Sequence, residues 1–223
     1  TPSADVMSTG RATFSDLAIK GPASTTGYTL TFTHQDSAIP AITKTIALAA
    51  GTATKLGINN NSITSASDAV ISPAPVVTIQ DIDGNVVSDT NKTIAVTISG
   101  PNYSVNSEAI GFTSRTTVNG TTTFNDVKVK GVTGSHSLTY RTTDSSLTQV
   151  YQTVTVTPGV ATKLTLQVSA RGYENRALFT TQPKVQIMDS ASNVVTTSTA
   201  AVTVAMSNGT IEGTTTVNAV NGV

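Results

Sequence analysis

The chain has no cysteine, so it holds no disulfide, no thiolate metal site and no cysteine nucleophile, whichever redox compartment it occupies. Charge is scarce too. Only 12% of residues are charged, and 13 Lys plus Arg balance 13 Asp plus Glu to a formal net charge of zero. Long-range attraction to nucleic acid or to an acidic membrane therefore has little to act through, and a basic nucleic-acid binder is not expected. Aromatics make up 4% of the 223 residues. No apolar run approaches the ~18 residues that cross a bilayer, and the first residues show no basic flank ahead of an apolar core. No membrane span is expected.

What the chain has in abundance is threonine, 43 residues of it, alongside serine and valine. β-Branched side chains lose least on a half-buried pleated surface, which points to strands and leaves little room for long amphipathic helices. The apolar content of 38% is too high for a disordered Ser/Thr-rich stalk.

Internal repetition decides the organisation. Ala12-Thr13-Phe14-Ser15-Asp16-Leu17-Ala18-Ile19-Lys20-Gly21 returns as Thr122-Thr123-Phe124-Asn125-Asp126-Val127-Lys128-Val129-Lys130-Gly131. Ala53-Thr54-Lys55-Leu56 returns as Ala161-Thr162-Lys163-Leu164, and Pro75 to Asp81 as Pro183 to Asp189, in register through Asn85-Val86-Val87 and Asn193-Val194-Val195. The period is roughly 100 to 110 residues, the size of one β-sandwich domain. Apolar residues alternate within each copy: Val77 and Ile79 match Val185 and Ile187; Ile94, Val96 and Ile98 match Val202, Val204 and Met206; Ile46 and Leu48 match Val154 and Val156. Period two predicts strands with one face on a core. Turn signals separate them at Asp83-Gly84-Asn85, Ser99-Gly100-Pro101, Asn119-Gly120, Pro158-Gly159 and Asn208-Gly209.

In order, Ala-Thr-Lys-Leu, Pro-x-Val-x-Ile-x-Asp with Asn-Val-Val, Gly-Thr-Thr-Thr, Phe-x-Asp-Leu and Gly-Tyr-Thr-Leu-Thr resemble the bacterial immunoglobulin-like (Big-type) tandem repeats of large secreted cell-surface proteins. The resemblance covers nearly the whole chain. It implies tandem Ig-like sandwiches in an extracellular stalk, adhesin or surface layer. Tyr28 and Leu30 fit the tyrosine corner of such domains, with Leu in place of the core cysteine; in the next copy His136 and Leu138 take those places.

The expected fold is all-β: tandem Ig-like β-sandwiches, one complete and two partial. Residues 1–50 hold the C-terminal strands of one repeat, 51–158 a complete sandwich, and 159–223 the N-terminal strands of a further repeat. Core positions are Phe14, Tyr28, Leu30, Val77, Ile79, Phe124, Leu138, Val185 and Ile187. A half sandwich exposes a core face and open strand edges. Three readings stand: a window of a longer repeat protein, completion of one subunit's C-terminal half by the N-terminal half of the next, or closure within one chain, which end-to-end sandwiches disfavour.

Candidate chemistry is sparse. Asp81, Asp83, Asn85 and Asp89 offer oxygens at alternate positions, as calcium requires, but Lys92 stands where an EF-hand loop ends in an acid. The next copy keeps Asp189 and Asn193 and has Ala191 and Thr197 in the other two places. A tight hairpin turn is the competing reading, and no other cofactor is expected. Asp16 and Asp126 interrupt the alternation after a core Phe, as a metal ligand, a base, or a bulge or backbone cap. His34 and His136 are not repeat equivalents, and no Gly-x-Ser-x-Gly, phosphate loop or His-Glu-x-x-His occurs, so an enzyme is not expected. Lys55 and Lys163, on first strands, invite either an isopeptide bond or the blunting of a strand edge. Sequons lie at Asn60, Asn91, Asn102, Asn119 and Asn208. Tyr103 and Tyr173 are the loop aromatics that would stack on a sugar ring. The function expected is an extracellular structural module of a bacterial surface, in a stalk, fibre or surface-layer array, joined through short linkers at Ala49 to Thr52 and Thr157 to Gly159. Its partners would be neighbouring Ig-like repeats or identical subunits head to tail. The alternative is an adhesive module whose loops bind a glycan or host protein.

Overall fold

The structure, a computed structural model, describes residues 11–99, 108–111 and 113–223. The Gly100-Pro101 turn, the sequon at Asn102 and Tyr103 lie outside the described residues. Within them the secondary structure is strand and turn, with no helix.

Two strands come first, β1 (Ser24–Phe32) and β2 (Ile42–Leu48). Ten follow: β3 (Lys55–Ile58), β4 (Ser62–Ala66), β5 (Val76–Gln80), β6 (Thr93–Ser99), β7 (Glu108–Ile110), β8 (Ser114–Thr116), β9 (Thr121–Thr123), β10 (Lys128–Lys130), β11 (Gly134–Thr142) and β12 (Val150–Thr157). The last four are β13 (Ala161–Val168), β14 (Lys184–Asp189), β15 (Ala201–Thr203) and β16 (Thr216–Asn218).

Strands β3 to β12 close one sandwich. One sheet has the order β3-β5-β9, the other β4-β12-β11-β6-β8, and β10 pairs with β7 beside them. All of these pairings are antiparallel except β4 with β12. The alternating residues meet in the space between the sheets: Val77 and Ile79 from β5, Ile94 and Val96 from β6, Leu138 and Tyr140 from β11 and Val154 and Val156 from β12 are all buried. Phe124, just after β9, fills the middle with its ring 5.4 Å from that of Tyr140 in an edge-on contact. Such a pair adds about 0.5–1.5 kcal/mol beyond the area it buries. The Tyr140 hydroxyl, whose pKa burial pushes up, donates to Gln152 Oε1 at 2.9 Å, and Gln152 Nε2 donates to Asn60 O at 2.7 Å. The buried polar pair is thereby satisfied, and it ties β12 to the bend between β3 and β4.

The outer strands are repeats of the inner ones. In β1–β2 the partners Tyr28↔Ile46, Leu30↔Lys44 and Phe32↔Ile42 reproduce His136↔Val154, Leu138↔Gln152 and Tyr140↔Val150 of β11–β12. Likewise Leu164↔Ile187 in β13–β14 reproduces Leu56↔Ile79 in β3–β5. The pair β15–β16 stands for β6–β8. One complete sandwich is thus flanked by two partial ones.

Asn119-Gly120 forms a two-residue hairpin turn with φ of 49° and 70°, which the right-handed twist of the flanking strands favours. Its copy, Asn221-Gly222, has φ of 52° and 76°. In each, the glycine carbonyl accepts from a core residue of the adjoining strand, Ile79 N at 2.7 Å and Ile187 N at 2.8 Å. A Cβ on Gly120 would stand 2.2 Å from Val87 O, whereas one on Gly84, also at positive φ, meets nothing within 4 Å. Gly84→Ala should therefore cost about 1–2 kcal/mol, the left-handed backbone penalty alone. Gly120→Ala should cost clearly more, read as a larger fall in the urea midpoint.

Candidate functional site

Each copy places an aspartate immediately after, or at the end of, its second core strand, followed by a tight turn to an asparagine. In the central copy Asp81 Oδ1 accepts from Asp83 N at 3.0 Å and Asn85 N at 2.8 Å, closing an Asx turn. Its Oδ2 accepts from Asn85 Nδ2 at 2.9 Å and from Gly51 N at 2.8 Å. Asn85 then reaches back to the preceding repeat: Oδ1 accepts from Ala23 N at 2.7 Å and Nδ2 donates to Gly21 O at 3.2 Å.

The terminal copy repeats this bond for bond. Asp189 Oδ1 accepts from Ala191 N at 2.9 Å and Asn193 N at 2.8 Å; Oδ2 accepts from Asn193 Nδ2 and Gly159 N, both at 2.8 Å. Asn193 Oδ1 accepts from Thr133 N and its Nδ2 donates to Gly131 O, both at 2.9 Å. We call each unit a clasp. It joins three stretches of chain: the turn itself, the linker glycine, and the loop after the Lys-Gly motif of the repeat before.

The chemistry of the clasp is that of a buried anion held by N–H donors. Four donors converge on each carboxylate, and both aspartates are buried. The side-chain hydrogen bond from Asn85, followed by the Gly51 amide, holds the Asp81 carboxyl at about 2, below its ordinary 3.8. At Asp189 burial opposes ionisation, but the Asn193 side chain and the amides of Gly159, Asn193 and Ala191 outweigh it and leave the pKa lowered.

The oxygens that the sequence offered to calcium therefore face donors instead. Asp83 turns to Lys20 at 3.4 Å, across the same joint, and Asp89 accepts from Thr90 Oγ1 at 3.4 Å. Among the described residues no group of three or more His, Cys, Asp and Glu side chains gathers as a metal requires.

Two further groups tie the joint. Tyr28 donates its hydroxyl to Pro22 O at 2.7 Å, a corner that fixes the loop received by Asn85. At the equivalent place His136 bonds through Nε2 to Val132 O at 2.9 Å, and since a carbonyl only accepts, the proton sits on Nε2. The histidine is a corner residue, not a departure from the pattern. Lys55 Nζ donates to Ile82 O at 2.9 Å and Lys163 Nζ to Ser192 Oγ at 2.7 Å, so both lysines brace the clasp turn from the neighbouring strand.

Asp126 pairs with Arg115 Nη2 at 2.7 Å, and Asn125 Oδ1 accepts from the same nitrogen at 2.9 Å. Asp16 is exposed, and His34 Nδ1 accepts from Asp36 N at 2.9 Å in an exposed loop. Of the core positions, Val77, Ile79, Phe124, Leu138 and Ile187 are buried, Tyr28, Leu30 and Val185 are half-buried, and Phe14 is exposed. Tyr173 is exposed and stacks edge-on with Phe179 at 5.8 Å. Phe179 occupies the place of Ile71, a buried core residue of the complete sandwich.

No protein-family model matches the chain, and no curated protein sequence matches it. Among solved structures it is similar to a glycosyl hydrolase family 2 member from Bacteroides cellulosilyticus, with a TM-score of 0.35 and 16% identity over 53% of this chain and 16% of that one. It is also similar to surface layer protein SbsC, domains 1-6, with a TM-score of 0.31 and 17% identity over 80% of this chain and 23% of that one. The chain thus spans 16% and 23% of the lengths of these two chains.

Because the folded pKa of Asp81 lies below its unfolded value, its contribution is complete above pH 3.8 and is lost as the pH falls towards about 2. A carboxyl carbon titration by NMR should place its midpoint near 2. In Asn85→Ala, which removes the largest cause of the shift, the midpoint should move up towards 3.8.

Proposed function

We propose that the chain is a structural repeat module of the bacterial cell surface, a spacer in a stalk, fibre or layer, and not a catalyst. The observation that carries this reading is the clasp. A buried carboxylate and an amide side chain are set at each joint with the same partners and nearly the same lengths. Buried polar groups are costly unless every one is satisfied, so a satisfied network at a joint specifies one geometry there. Default inter-domain contacts leave relative motion free, and the clasp is what opposes it.

The mechanism is mechanical. The central sandwich buries its own core, the linkers at Gly51 and Gly159 are short, and the clasp hydrogen bonds resist bending where the chain would otherwise hinge. Extracellular placement rests on the resemblance of the repeat motifs to the Big-type repeats of secreted surface proteins.

The double variant Asn85→Ala/Asn193→Ala tests it. Amide relaxation by NMR should show the repeats reorienting more independently on either side of Gly51 and Gly159, while the amide spectrum of the central sandwich stays native. Unchanged relaxation in the variant would mean that the clasp does not stiffen the joints, and the reading would fall.

A further inference from the structure

The five-stranded sheet of the complete sandwich turns one face to the core and the other to water. No acidic residue stands on its strands, β4, β6, β8, β11 and β12. With neighbouring strands about 4.8 Å apart, the outer face is roughly 19 Å across, broad enough for an extended ligand and too open to enclose a compact one. Its covering is mostly hydroxyl. Thr64, Thr97, Thr153 and Thr155 alternate with inward residues and are exposed.

Three residues break that covering at one end of the sheet. Tyr151 is 54% exposed, and Arg141 and Gln149 are exposed beside it. Register brings them together: Thr139 faces Tyr151 across β11–β12, and Arg141 lies two residues beyond Thr139, diagonal to the ring and within reach of it. On its other side Arg141 faces Ala95 of β6, whose methyl group leaves the guanidinium uncovered. Gln149 Nε2 donates to the Tyr151 hydroxyl, which fixes the ring and leaves the phenolic proton to donate outward. Lys20, Lys92, Arg115 and Lys128 each pair with an aspartate, but Arg141 meets no carboxylate among the described residues. Asp144, the acid nearest to it along the chain, is held by Lys92 at 2.7 Å. The first copy shows the same lattice without this group. Its Thr31↔Thr43 pair stands for Thr139↔Tyr151, and Thr33 and Ala41 take the places of Arg141 and Gln149. The strand pair forms in that register with neither ring nor cation, so pairing does not explain them.

We propose that Tyr151, Arg141 and Gln149 form a binding site for an acidic polysaccharide, with a uronic-acid ring stacked on Tyr151 and its carboxylate held by Arg141. The site offers one group for each chemical feature of such a sugar. The C–H face of a pyranose is apolar and packs on an aromatic ring, and a guanidinium meets a carboxylate through two parallel N–H bonds. Thr97 and Thr153, on the strands to either side, supply hydroxyls for the adjoining sugars. Charge chooses the ligand: strands without an acid, carrying an outward cation that no carboxylate neutralises, favour a polyanion over a neutral glycan. The site lies on the sheet and not in the loops. It goes beyond the structural-module reading and does not depend on how the joints are held.

The experiment is an amide NMR titration of the full chain with hexamers of galacturonate, mannuronate and glucuronate, beside dextran sulfate. At least one uronic hexamer should shift the amides of Arg141, Gln149, Tyr151 and Thr97 and leave those of β3, β5 and β9 in place. Tyr151→Ala and Arg141→Gln should each weaken that binding about tenfold, the scale of one lost charged hydrogen bond, and Arg141→Lys should recover only part of it. Both side chains are exposed, so the variants keep the native spectrum. The methyl ester of the hexamer that binds keeps the ring and loses the charge, and it should bind the wild type no better than the acid binds Arg141→Gln. No shift with any of the three acids, shifts confined to other residues, or affinity unchanged by Tyr151→Ala or by esterification would each overturn the proposal. Dextran sulfate binding as tightly as the acids and indifferent to Tyr151→Ala would reduce the site to a bare charge and overturn it too.

Discussion

A carboxylate removed from water must be surrounded by donors, and in this chain that requirement organises the joints. Asp81 and Asp189 are each met by four N–H groups drawn from the turn and from the linker glycine. The asparagine supplies two of those donors, its backbone N–H and its Nδ2, and its side chain also bonds to the repeat before. A local turn is thereby converted into a long-range tie. The linker glycine is held from both sides at the second joint, where a Cβ on Gly159 would stand 2.4 Å from Ser67 O. The donors that satisfy one buried charge thus lie beside the bonds that tie each repeat to the one before it.

The fold was legible in the sequence because its signal is periodic. Val77, Ile79, Val96 and Val154 alternate with Thr and Gln or Ala, and each ends up inside. The hairpin at Asn119-Gly120 was legible because few residues tolerate two consecutive positive φ values. The clasp was only half legible. Alternate oxygens in Asp81 to Asn85 suit a cation or a ring of amides equally well, and what separates the two is Gly51, thirty residues earlier. Nothing local announces that its amide points at the carboxylate. The corner at His136 was hidden for a different reason: six residues separate Pro22 from Tyr28, but only four separate Val132 from His136. The shorter loop brings a shorter side chain to the same carbonyl position.

Phe14 marks the other limit. Its pattern correctly says which face of the segment is apolar, but a pattern carries no information about what lies against that face. The same holds for Leu164 and Val204. Repetition supplies what periodicity cannot, since Phe124, Leu56 and Val96 show how these positions are covered when a sandwich is closed.

The two clasps differ in one respect that bears on the medium around the protein. The first joint carries an added ion pair, Lys20 to Asp83, whose lysine is largely in water; the second has Ala191 in place of that acid. Exposed pairs fade as ionic strength rises, because the screening length shrinks from about 10 Å at 0.1 M to about 3 Å at 1 M. The buried carboxylates are beyond the reach of mobile ions, and their partners are amides without net charge. From fresh water to brine the second joint keeps its strength and the first approaches it, so the two joints stiffen or slacken very little with salinity.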